Sequence, residues 1–559
     1  MQKRTFITGL TALYFVCLSN LSLSAQEESL RNQTDWRLRD KATEEAFDKS
    51  LKEATPPIQL PQVQSLPQPT EEEVCFVIDH LNIDGLLSDW ALAQGEQYLG
   101  ECVGFQTLKA YVRLINQKLL AEGYVTSRAV LPEQNIASHT VSVTIQEGVV
   151  ERIVFPENYR FFWQNALPIE EGKVLNLRDM EQAVEQLSRL QSQEVEFKIQ
   201  PGTYPNASIL VAELKQTKPW SMNASVDDSG SVSTGRYPLS INTTIDNFIG
   251  AQDAFTVSMS AAKEGAMGES NSQSFSWTVP LGYGLFGYSN SRSDYRQITE
   301  GSVRSFELSG NSRDDKLSLD YVVLRNNKVK LTLNSALKTR LRRSYIEDAE
   351  IEAQRRNLTE LSLGLGYRHF IGRNVFDFSL DVHQGIEDWL GADKLDPDGD
   401  EETAQPDYRF YSLSVSLSSP FTVFGQSMSY TGRLFAQYAD TAIYSLDWFS
   451  NGGRYTVRGF DSDESLSAEH GWRLKNDVTL PLKIMESSFS PYLGLDVGQV
   501  SGDGAEEETS RTLMGLTFGL KGQAMGMNYD LSVSEPFIEY GPYAKAHDYK
   551  VSAMLSAQF

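Results

Sequence analysis

Long apolar runs, cysteines, histidines and excess basic charge are all missing or scarce in this chain of 559 residues, and each shortage closes off a class of protein. Beyond the N-terminus no stretch reaches the ~18 apolar residues that a membrane-crossing helix needs, so a helical membrane protein is excluded. A transmembrane β-barrel survives that test, because alternating strands average to a soluble-looking mean hydropathy such as the −0.34 found here. Lys and Arg number 50 against 74 Asp and Glu, and the resulting net charge of −24 argues against a nucleic-acid partner. Six histidines and three cysteines leave little for a metal centre. Gly-x-Ser-x-Gly, His-Glu-x-x-His and the phosphate-cradling Gly-x-x-x-x-Gly-Lys run are absent too, so no enzyme activity, metal or cofactor is expected. One acidic stretch, Leu395 to Glu402, imitates a calcium loop, but its first ligand position falls on Lys394 and its twelfth on Gln405.

What the chain does have begins with an export signal over residues 1–25: Lys3 and Arg4, an apolar run from Phe6 to Leu18, then the small residues Ser22, Ser24 and Ala25. Removing it removes Cys17 and leaves Cys75 and Cys102. Two thiols in an oxidising compartment most simply form one disulfide, two unpaired buried thiols being the alternative. Residues 26–54 alternate acids and bases as a solvated helix would, with little apolar face. Five prolines then make residues 55–73 an extended linker.

Residues 74–149 and 150–216 repeat one small α+β plan. In the first, Leu108, Tyr111, Val112, Ile115 and Leu119 share a helical face that Gly123 ends, and Cys102 falls in the loop between two helices. In the second, Asn176 caps a helix whose face is Leu177, Met180, Val184, Leu187 and Leu190. From residue 217 to 559 helical periodicity gives way to strands that alternate apolar with small or polar residues, such as Leu361, Leu363, Leu365 and Tyr367. The last strand carries Val551, Ala553, Leu555, Ala557 and Phe559 on one face and Lys550, Ser552, Ser556 and Gln558 on the other. One face suits lipid and the other water. This length holds about 16 strands of an outer-membrane barrel.

One constellation stands out. The segment from Asn451 contains Gly452, Gly453 and Gly459, which suit a folded loop, and it delivers Val457, Arg458 and Phe460. Downstream, a strand with Leu493, Leu495 and Val497 toward lipid would turn Tyr492, Gly494, Asp496 and Gly498 into the lumen. A carboxylate confined there needs a partner, and the Arg458 guanidinium can grip it with two parallel hydrogen bonds. The bland alternative is a solvated loop arginine and a pore-lining acid.

These motifs, together with the cysteine-bearing first unit, Asn176–Ser192, Asp227–Asn247 and the terminal Phe559, resemble the two-partner secretion transporters of the haemolysin secretion/activation family. The resemblance spans nearly all of the mature chain. It implies a helical barrel plug, two periplasmic POTRA domains and a 16-stranded barrel in the bacterial outer membrane. It implies export of a dedicated exoprotein, whose unfolded N-terminal domain the POTRA domains catch. The folded-in loop would pair Arg458 with Asp496, and Phe559 would be read by the barrel-assembly machinery. The expected partners are thus the exoprotein, outer-membrane lipid and that machinery, with the transporter itself a monomer. Two departures are Phe460, where the family often has Tyr, and Asp477, where it usually has Glu; the second bears on local loop contacts. An assembly factor that inserts other barrels is the rival, and it usually carries three or more POTRA domains without plug or linker.

Overall fold

The computed structural model describes residues 32–51, 56–58, 74–157, 159, 161–265, 268–300, 304–399, 403–484, 487–504, 512–537 and 549–559. The expected export signal and most of the proline linker lie outside these residues.

Helix α1 covers residues 32–51. The first small unit then sets helices α2 (Ser88–Gly95) and α3 (Phe105–Ala121) against a three-stranded sheet. Strand Thr140–Gln146 is central, parallel to His80–Asp84 and antiparallel to Arg128–Val130. Leu108, Tyr111, Ile115 and Leu119 of α3 close the core over Val141, Val143 and Ile145. Two local expectations need correction. Val74–Gly85, whose composition reads as one strand, is split: Cys75–Val77 pairs antiparallel with Cys102–Gly104, and the sheet strand starts afresh at His80. Cys102 therefore begins a short strand rather than lying in a loop, and its disulfide to Cys75 pins this ribbon with the Cα atoms 5.3 Å apart.

The second unit has strand order Val149–Val154, Ala207–Gln216, Gln193–Pro201, covered by helix α4 (Leu177–Ser188). The Asn176 side chain caps α4 by accepting from the Arg178 N–H at 2.8 Å, and Leu177, Met180 and Leu187 fill the core. The opposite face of α4 rests on the barrel rim. Gln186 donates to the carbonyls of Gly282 and Gly284, and Glu185 accepts from Arg325 at 2.6 Å and from Lys330.

Sixteen long antiparallel strands close the barrel, the last (Lys550–Gln558) pairing with the first (Trp220–Asp227). Period two puts Leu361, Leu363 and Leu365, or Leu493 and Leu495, on the outer surface and small polar residues inside. The lumen is not empty. Helix α1 lies in it, and so does the chain between the strands Gln426–Ala439 and His470–Thr479. The expectation that α1 has little to bury also needs correction: Trp36 is 2% exposed, and Asp40 is buried as well. Its partner surface is the polar inner wall, so burial required no apolar face.

Candidate functional site

The loop entering the lumen carries a short hairpin, Phe449–Asn451 with Leu466–Ala468, and between its arms runs the segment with Val457, Arg458, Gly459 and Phe460. Val457 and Phe460 are buried with Phe449, Leu466 and Ala468 against Val500 and Leu513 of the wall. This apolar cluster seats the loop and fixes the stem from which Arg458 projects. Gly459 has φ +106°, a conformation that strains any side chain, and a Cβ there would come within 3.2 Å of the Pro536 nitrogen.

Strand Ser487–Ser501 turns Tyr492, Gly494, Asp496 and Gly498 inward, as alternation requires. Arg458 meets Asp496 in a planar fork: Nε donates to Oδ2 at 2.6 Å and Nη2 to Oδ1 at 2.7 Å. The Arg458 backbone N–H adds a third bond to Oδ2 at 3.1 Å, and Asp496 is 0% exposed. Both oxygens of a buried carboxylate are thus occupied by one residue, side chain and main chain together. Glycines make the approach possible. A Cβ on Gly494 would sit 2.4 Å from Arg458 Nη2, and one on Gly515 1.8 Å from the Arg458 carbonyl oxygen. Gly498 leaves room in the same way for Asn451.

Two further partners were not assigned from the sequence. Asp477 accepts from Arg458 Nη2 at 2.8 Å, so the guanidinium bridges two carboxylates on neighbouring strands that pair directly at Asp477↔Gly494. The Tyr492 ring lies 5.8 Å from the guanidinium carbon. The signals were legible in principle: Asp477 is a departure from the family pattern, and Tyr492 alternates with Asp496. The loop tip is tied as well. Asp463 accepts from Ser231 Oγ at 2.5 Å and from the Val232 N–H at 2.9 Å, while Ser462 donates to the Ser229 carbonyl. The segment after the first barrel strand, noted above only as a motif, is therefore the dock for the loop tip.

Helix α1 is held differently. Asp40 accepts from Arg473 at 3.0 Å and from Ser450 at 2.8 Å, and Glu44 meets Lys475 at 3.0 Å and Arg433. Lys41 pairs with Asp227 at 3.1 Å, and Arg39 donates to the Trp448 carbonyl at 2.6 Å. Beside the helix remains a cavity of about 1620 Å³ lined by hydroxyls and charged groups. The remaining assigned residue, Phe559, is at the barrel seam: it is exposed, and its backbone exchanges hydrogen bonds with Met222 on the first strand.

Residues 206–522 match the family described as haemolysin secretion/activation protein ShlB/FhaC/HecB. Residues 76–148 match the POTRA domain of ShlB type, and 149–201 another POTRA domain. The outer membrane transporter CdiB-2 of Burkholderia pseudomallei (strain 1026b) is 32% identical over 529 residues, covering 89% of each chain. The hemolysin transporter protein ShlB of Serratia marcescens is 25% identical over 452 residues, covering 79% of this chain and 78% of its own. Among solved structures, CdiB from Escherichia coli shares the fold with a TM-score of 0.85 at 24% identity, over 94% of this chain and 99% of its own.

Proposed function

The chain belongs to the haemolysin secretion/activation family of outer-membrane transporters, and from that premise we propose how its lumen serves export. It is an outer-membrane transporter of two-partner secretion, with the POTRA domains on the periplasmic side. Its cargo is one dedicated exoprotein. The POTRA sheets offer it unpaired edges at His80–Asp84 and Gln193–Pro201, where an extended cargo segment can add as a further strand. Helix α1 withdraws, the clasped loop stays, and the unfolded chain passes along the vacated wall. Folding outside makes the passage irreversible, so the reading involves no catalytic step and no nucleotide. The transporter works as a monomer, and Phe559 marks the last strand for the barrel-assembly machinery.

The observation that carries this reading is that one lumen holds two inserts attached differently, a loop seated by an apolar cluster and clasped by Arg458 on Asp496, and a helix held mainly by polar contacts. The test is reconstitution. The full chain in proteoliposomes, offered the unfolded exoprotein encoded beside its gene, should move it to the protease-inaccessible side without nucleotide. Transfer equal to that through an unrelated open porin would refute the reading.

A further inference from the structure

The outer wall carries three arginines that export does not use. Arg292, Arg313 and Arg343 sit on three consecutive strands, Gly284–Glu300, Ser305–Arg325 and Val329–Ile346, and all are exposed. Their direction is fixed by their inward neighbours. Ser293 and Ser312 donate to Asp35 of α1 at 2.9 and 3.3 Å, and Arg342 pairs with the same carboxylate at 3.1 Å. Each of the three is the next residue along its strand from a side chain that grips one lumenal carboxylate, so all three point outward at one level of the barrel.

That level can be placed. The strands run from the rim that carries α4, at Gly282 and Arg325, toward the opposite and therefore extracellular end. Along the outer face of Ser305–Arg325 come Val323, Tyr321, Leu319 and Leu317, all exposed and apolar, then Asp315, then Arg313. The arginines thus lie just past the lipid-facing belt, at the height of the outer-leaflet headgroups.

The pairing there is unfavourable without a counter-ion. Arg292 lies directly opposite Arg313 in the strand register, an arrangement that repels. Arg343 pairs in register with Asn311, two residues from Arg313 on the same face. Arg313 reaches Asp315 at 2.8 Å, but Arg292 and Arg343 have no ion pair among the described residues. Two more carboxylates lie one step further out, Asp294 opposite Asn311 and Glu350 opposite Tyr345, the latter within electrostatic reach of Arg343 but already paired with Arg355 at 2.7 Å. We propose that Arg292, Arg313 and Arg343 form a binding patch for the phosphate groups of an outer-leaflet glycolipid. The repulsion across the strand pair is then relieved by an anion shared between guanidiniums, whose planar donors match phosphate oxygens.

The experiment measures binding of bisphosphorylated lipid A to the full-length protein in neutral detergent, by native mass spectrometry and by the shift in unfolding temperature. Dephosphorylated lipid A and inorganic phosphate alone serve as comparison probes. Wild type should bind the bisphosphorylated lipid, and the triple variant Arg292→Gln, Arg313→Gln, Arg343→Gln should bind it about 100-fold more weakly. Arg292→Gln alone, which leaves the other two cations in place, should lose about fivefold. Arg128→Gln, on the first POTRA domain, should change nothing. Equal binding of dephosphorylated lipid, an equal shift with inorganic phosphate alone, or undiminished binding by the single and triple variants would each overturn the proposal.

Discussion

Two inserts occupy the same lumen, and they are attached by different physics. The loop brings Phe449, Val457, Phe460, Leu466 and Ala468 into a cluster with Val500 and Leu513. Burying those loop side chains is worth on the order of 10 kcal/mol of transfer free energy, an upper bound because the unfolded loop already hides some surface. Helix α1 buries Trp36 and Phe47, the latter under the Arg433 guanidinium, and relies for the rest on ion pairs and hydrogen bonds from Asp40, Lys41 and Glu44. These pairs are buried, so desolvation of their charges offsets much of their attraction, and lumenal water can replace them once the helix moves. Apolar contacts cannot be exchanged without exposing hydrocarbon. The loop therefore stays where it is, and the helix is built to be released.

The most severe way to break the contrast is to remove the clasp. Arg458→Ala leaves the Asp496 charge buried with only the backbone N–H of residue 458, at a cost of about 3 to 5 kcal/mol if water stays out, whereas Asp496→Ala leaves the guanidinium its bond to Asp477 and should cost less. Both variants should reach the outer membrane at normal levels yet lose secretion and gain protease cleavage within the loop. The double variant should be no worse than the worse single one, because the second change removes an interaction already gone. Arg458→Lys should rescue only in part, keeping the charge without the fork. Asp477→Asn, which retains an acceptor for Nη2, should cost about 1 kcal/mol and reduce secretion least. Independent, additive defects from the two single variants, read in the same secretion assay, would separate Arg458 from Asp496.

Loosening the helix should be milder for transport and more visible in conductance. Deleting residues 27–54 is expected to open the channel in single-channel recordings while secretion continues. Asp40→Asn with Glu44→Gln should raise the open fraction without opening the channel fully, because the amides remove the charges but keep hydrogen-bond acceptors for Arg473 and Lys475. High salt should act in the same direction, since the Debye length falls from ~8 Å at physiological strength to ~3 Å at 1 M. The loop, probed by protease in the same samples, should not respond. Unchanged conductance after the deletion would mean that α1 does not close the channel.

The sequence disclosed these two attachments unequally, for reasons that follow from their chemistry. Alternation along Tyr492, Gly494, Asp496 and Gly498 is local and strict, so the inward acid and the space around it were readable; charge and shape made Arg458 a candidate for the fork, and only the family resemblance chose it over a solvated arginine. The seat of α1 was not readable. A helix that buries its polar face against a polar wall has no amphipathic stripe, so its pattern is that of a solvated helix although Asp40 is 6% exposed. The same limit hid Asp477 and the docking of Asp463 on Ser231, which lies 232 positions away in the chain. In the first POTRA domain the strand-like composition of both Cys75–Val77 and His80–Asp84 concealed a change of partner strand around Ile78.

The smallest expected effect concerns a third polar attachment, α4 on the barrel rim, and it sharpens the contrast by titration. Burial pushes the Glu185 carboxyl up, but Lys330 and Arg325 outweigh it and hold Glu185 below its usual range. A depressed carboxylate stabilises the docked state above its undocked pKa, and that contribution is lost as pH falls through the docked value. Asp179, nearly two turns earlier, is shifted the other way: burial raises it, and the hydrogen bond from the Tyr283 hydroxyl offsets this only in part. Protonating Asp179 relieves a desolvated charge, so acid favours docking at that position. The two signs oppose each other in mildly acid solution. Distances between spin labels on the second POTRA domain and the barrel should therefore hold from neutral pH to about 5, and broaden only well below the ordinary glutamate value of ~4.3. Glu185→Gln should remove the low-pH broadening and weaken docking at neutral pH by about 0.3 to 1 kcal/mol. Protease protection of the loop, seated mainly by hydrocarbon, should persist where the α4 distances have broadened. If both give way at the same pH, the loop depends on titrating contacts as much as α4 does, and the distinction drawn between apolar and polar attachment is wrong.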